Sequence, residues 1–172
     1  MDPPQYETSV VRLFVGHANS VIWFSDPVPY EESHLTAGLV GALREWEQLY
    51  YAGLDDDFEW RSDELPGQFN AQGRKLAQRL AKEIGDEFQV ELHEAGATPP
   101  WPLVHSDEAA SNPEAAAAFR ARAATARTEW QRTSRATSIT DNDVVVGGWY
   151  AQSPDGVRAF RPIGGDVPGP SG

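Results

Sequence analysis

The chain has 172 residues, no cysteine, 40% apolar residues, and 14 Lys+Arg against 26 Asp+Glu, for a formal charge of −12. That length fits one compact domain or two small ones, and the missing cysteines exclude disulfide scaffolds, thiolate zinc sites, iron–sulfur clusters and cysteine nucleophiles. The acidity opposes nucleic-acid and anionic-membrane partners, whose phosphates are met by Lys and Arg.

Residues 1–7 lack the basic region and apolar run of a signal peptide. The apolar runs, such as Val21 to Phe24 and Val144 to Val146, fall far short of the ~20 residues of a membrane span. A cytoplasmic location is the expectation.

Val10 to Val15 alternates and reads as a strand. Gly16 to Asn19 is a turn, and Ser20 to Phe24 is a second β-branched and aromatic run, so the pair predicts a β-hairpin. Pro27 and Pro29 stop any further strand. A helix is predicted over Ala37 to Ala52, with Thr36 as N-cap and an apolar stripe of Leu35, Leu39, Leu43, Trp46 and Tyr50. Gly53 is placed as its stop. A second helix is predicted from Gly67 to Ile84, with Phe69, Gly73, Leu76, Leu80 and Ile84 on one side and Gly85 as terminator. Phe88, Val90 and Leu92 then alternate with Gln89, Glu91 and His93, the pattern of a half-buried strand.

The order β-β-α-α-β predicts an α+β fold, a small antiparallel or mixed sheet with two helices on one face. A C-terminal helix and β-hairpin complete it. Ala95 to Pro102, with Pro99, Pro100 and Pro102, reads as a boundary. We therefore expect an acidic unit over 1–97, a helix-plus-hairpin unit over 98–161 packed on the first, and a disordered tail over 162–172. The helix of the second unit is marked by Asn112 or Ser111 as cap, Pro113 at its first position and Glu114 in its first turn. It runs from Ala115 to about Arg132 with a stripe of Phe119, Ala123, Ala126 and Trp130. The hairpin pairs Asp143–Ala151 with Val157–Arg161.

Charge is uneven along the chain. Residues 1–97 hold 18 acids and 7 bases, a net of −11, and residues 98–172 hold 8 acids and 7 bases, a net of −1. The densest feature is the stretch Asp55, Asp56, Asp57, Phe58, Glu59, Trp60, Asp63 and Glu64. As an EF-hand it fails, because Trp60 stands where Gly is needed and Pro66 where a bidentate Glu is needed. Three readings stand for it: a solvated inter-helix loop whose two rings staple it to the core, clustered carboxylates that suit a hard cation such as Ca²⁺ or Mg²⁺, and a binder of a basic protein, which presents aromatic rings among carboxylates. Arg120, Arg122, Arg127, Arg132 and Arg135 on or after the third helix are placed to meet acids of the first unit.

Catalytic signatures are missing. His17, His34, His93 and His105 form no i, i+4 metal pair, His93-Glu94 does not continue into H-E-x-x-H, and no phosphate-binding glycine loop occurs. His105-Ser106-Asp107 has the residue types of a triad, but neighbours in sequence cannot adopt its geometry. No cofactor and no metal are expected.

Trp23 to Pro27, Leu43-Arg44-Glu45-Trp46-Glu47, and Phe69-Asn70-Ala71-Gln72-Gly73-Arg74-Lys75-Leu76 leading to Phe88-Gln89-Val90-Glu91-Leu92 resemble a diffuse set of small acidic uncharacterised actinobacterial proteins. The resemblance covers about residues 22–92. It implies an α+β fold and carries over no catalytic residue.

The favoured reading is a non-enzymatic acidic module that binds a basic protein partner through Asp55 to Glu64, as an immunity protein or antitoxin-like inhibitor would. Two alternatives stand beside it: a structural or accessory protein of a phage or mobile element, and a carboxylate/His enzyme using a divalent metal.

Overall fold

The computed structural model describes residues 8–24 and 26–140, with side chains to residue 136. The hairpin expected over 143–161 and the tail over 162–172 lie outside the described residues. The chain divides after Arg135 into two units, and Met1–Arg135 holds nearly all of the described residues.

The fold is α+β. The elements are β1 (Val10–Leu13), β2 (Ile22–Trp23), α1 (Tyr30–Ser33), α2 (Ala37–Gly53), α3 (Leu65–Ile84), β3 (Gln89–Leu92), β4 (Leu103–His105) and α4 (Pro113–Thr140). The four strands form one mixed sheet in the order β2-β1-β3-β4. β1 and β2 are the antiparallel hairpin read from the sequence, with Arg12 opposite Trp23 and Leu13 opposite Ile22. β1 and β3 run parallel, Val11 against Val90 and Leu13 against Leu92, a pairing that the α2–α3 crossover makes possible. β4 closes the sheet antiparallel to β3, with Val90 opposite Val104.

This register puts Val11, Leu13, Ile22, Val90 and Leu92 on one face, where all five are buried. α2 brings Leu39, Leu43 and Trp46 to that core, and α3 brings Phe69, Leu76, Leu80 and Ile84. The helix stripes read from the sequence are the buried faces. Thr36 caps α2, its hydroxyl accepting from the Leu39 amide at 3.4 Å. Gly73 has a specific use in α3. A Cβ there would stand 3.0 Å from the Trp46 ring and 3.1 Å from the Leu92 side chain, so glycine lets α3 lie close against both.

Two elements fall outside the expected β-β-α-α-β order. α1 is a single turn after Pro29, closed by His34 with φ 54°. β4 lies beyond the expected boundary at 97/98, yet it pairs along β3, and the Leu92 amide donates to Pro102 O at 3.0 Å. Phe119 of α4 reaches the same core, meeting Phe24 and Phe88 edge-on at 6.5 and 6.0 Å. α4 is capped as read, Asn112 Oδ1 accepting from the Ala115 amide at 3.2 Å.

The buried Tyr30 hydroxyl lies 3.4 Å from the Val21 amide, which donates to it. Burial pushes its pKa up, outweighing that hydrogen bond. The unfolded chain then ionises this tyrosine first, so its contribution is complete below the ordinary tyrosine range and is lost as pH rises above ~10. Melting temperature should fall with alkalinity there, and Tyr30→Phe should flatten the fall.

Candidate functional site

Asp55 to Glu64 connects α2 to α3. The loop is a small hairpin of its own: Leu54 bridges to Trp60, the Asp55 amide donates to Glu59 O at 2.9 Å, and the Arg61 amide donates to Gly53 O at 2.8 Å. Asp55 also organises the turn through its side chain, Oδ1 accepting from the Asp57 amide at 2.9 Å and the Glu59 amide at 3.0 Å. An aspartate that satisfies amides two and four residues on is a local turn device. That carboxylate is therefore occupied by its own loop.

The two aromatic residues have opposite fates. Trp60 is half-buried, its ring 5.6 Å from those of Tyr50 and Phe69, and it lies over Gly53, where a Cβ would approach it to 2.8 Å. It pins the loop to the core. Phe58 is 81% exposed and adopts φ 62°, a left-handed conformation that costs an L-residue roughly 1–2 kcal/mol. A bulky ring is thus held in water, in a conformation glycine would prefer. The same loop carries Asp55, Asp56, Asp57, Glu59, Asp63 and Glu64, all exposed.

Among the described residues, none of these six carboxylates has a cation within ion-pair distance. The one arginine in the loop, Arg61, turns its Nε to Leu54 O at 2.8 Å. Of the five arginines expected to meet acids of the first unit, two do so among the described residues, at acids outside the loop: Arg120 pairs with Glu87 at 2.7 Å, and Arg122 with Glu32.

Other constellations were invisible in the sequence. Glu91, read as an outward position, is 5% exposed, because β3 is a central strand with Arg12 and Leu103 beside it in register. Its carboxylate lies 2.8 Å from His93 Nε2. On the same side of the sheet, Trp23, Phe14, His93 and Trp101 stack in a row at 4.9, 4.9 and 4.5 Å, each ring from the next strand or its end. One-ring-per-strand ladders stabilise sheets. The signal in the sequence was only a scatter of aromatics at strand ends. Glu83, on α3, is 9% exposed and binds Thr36 and Asn112. No group of three or more His, Asp or Glu among the described residues is placed to hold a metal ion, and none of the described helices is long and apolar enough to cross a membrane.

Residues 11–95 match a family model described as Serratia CdiI immunity protein-like. The matched segment is just under half of the chain. It runs from β1 through the acidic loop to just past β3, leaving out β4 and α4. The match supports a protein-binding inhibitor of the immunity type. No curated protein matches the chain.

Proposed function

We propose that the chain is an immunity-type protein that binds a protein toxin, and that the loop Asp55–Glu64 is the surface presented to a basic face of that partner. The family match to residues 11–95 supports this class of protein. The observation that carries the choice of surface is Phe58, 81% exposed at the tip of a hydrogen-bonded loop. Aromatic anchors in a preordered segment are what dominate binding energy at interfaces. Carboxylates around the anchor supply fast association and select against acidic partners. Asp56, Asp57, Glu59, Asp63 and Glu64 serve that purpose, Asp55 shapes the turn, and Trp60 mounts it.

Binding is tested by affinity capture from the source organism's lysate, followed by titration of the isolated complex. Association should slow as salt rises. Phe58→Gly should weaken the complex by about 30-fold, corresponding to a hot spot of about 2 kcal/mol. The same change relaxes the left-handed backbone, so the melting temperature should hold or rise. A captured partner indifferent both to salt and to Phe58→Gly would remove the loop from this role.

A further inference from the structure

We propose that the groove between α4 and the Phe24–His34 segment is a second docking surface, which takes an arginine- or lysine-bearing segment of a protein partner. A cleft of about 450 Å³ lies there, floored by Phe24, Ala118, Ala121 and Ala126. It continues past His34 and Ala118, which also line a neighbouring cavity that reaches Glu114. From Glu114 to Glu129 the groove follows α4 for ~22 Å at 1.5 Å per residue. Alanines along this side of the helix leave room for an incoming chain.

The charge of the groove selects its occupant. Asp26, Glu32 and Glu129 line the cleft against a single guanidinium, Arg122. Arg122 is bonded to Glu32 across the cleft. The carboxylates of Asp26 and Glu129 have no hydrogen-bond or ion-pair partner among the described residues. The cleft that already holds one guanidinium against a carboxylate carries two further carboxylates, Asp26 on the Phe24–His34 side and Glu129 on α4, and charge-assisted pairs with arginine are the strong ones. An acidic or neutral segment would leave them unmatched.

This surface stands apart from the acidic loop. His34 precedes α2 and Asp55 follows it, so the two lie at opposite ends of a 17-residue helix, ~25 Å long. One wall is α4, outside the segment that matches the immunity family. The groove thus holds whether or not the loop binds a toxin.

The experiment uses the isotope-labelled full chain and two synthetic peptides at low salt, one of alanine with an arginine in each helical turn, the other with glutamate in place of arginine. The arginine peptide should shift the amides of Ala118, Ala121, Thr125 and Ala126. Its affinity should fall about tenfold in the double variant D26K/E129K, at two exposed positions, while D56K/D57K leaves those shifts in place. Unchanged folding of each variant is checked by its thermal melt. Shifts confined to Asp55–Glu64, equal binding of the glutamate peptide, or free arginine binding as tightly as the peptide would each overturn the proposal. A partner captured through Phe58 but silent at α4 would overturn it and leave the loop reading intact.

Discussion

Replacing Glu83 by alanine should destabilise the protein by about 3 kcal/mol, a drop in melting temperature of roughly 10 °C for a domain of this size. The reason is the number of groups its carboxylate serves. Oε2 accepts from the Thr36 amide at 3.0 Å and from Asn112 Nδ2 at 3.1 Å, and Oε1 accepts from the Thr36 hydroxyl at 2.5 Å. Thr36 is the N-cap of α2 and Asn112 caps α4, while Asn112 Nδ2 also donates to His34 O at 2.8 Å. Three helix ends therefore meet at one carboxylate. Alanine leaves these donors facing each other without an acceptor, which costs more than the hydrogen bonds contribute when made. Glu83→Gln keeps an acceptor for the Thr36 amide and should cost about 1 kcal/mol. Thermal unfolding followed by circular dichroism reads both. An alanine variant that melts within a degree or two of the native chain would show that the helix ends hold without this node.

Glu83 also shows where sequence reading stops. α2 and α3 were legible because their apolar residues recur at helical spacing and Thr36 and Gly85 mark their ends. Gly73 fell within the stripe, but its close approach to Trp46 and Leu92 was not legible in the pattern. A carboxylate between Lys82 and Ile84 reads as solvent-facing, because only the convergence of α2 and α4 on that turn buries it. β4 was missed for a related reason. Leu103 to His105 is three residues long, with an exposed Leu103 and a half-buried Val104, so no alternation marks it; its strand character comes from the β3 edge it lies against. In the candidate site, composition alone located the acids. It could not tell that Asp55 would turn inward on its own amides, lifting Phe58 into water while Trp60 packs down. That division comes from backbone geometry at a residue type for which φ 62° is unusual.

Trp46→Ala should have the larger effect on stability, about 4 kcal/mol, in the range for removing a buried aromatic side chain. The ring is wholly buried, stacks on Phe69 at 4.4 Å, and donates through Nε1 to Phe69 O at 2.9 Å. Neighbours cannot collapse into the space easily, because α3 is already close at Gly73. Trp46→Phe retains the stack but leaves the Phe69 carbonyl unpaired, and should cost about 1–2 kcal/mol. The consequence reaches the proposed binding loop. Phe69 lies between Trp46 and Trp60, and Trp60 is the ring that mounts the loop. Loosening Phe69 should raise hydrogen exchange at the Asp55 and Arg61 amides together with the core. Trp60→Ala should instead speed exchange at those loop amides while leaving α2 and α3 protected, at about 2 kcal/mol. Chemical denaturation separates the two variants in magnitude, and exchange separates them in extent. If Trp60→Ala loosened the core as widely as Trp46→Ala, the loop would be an integral part of the fold. Its rigid display of Phe58 would then be incidental.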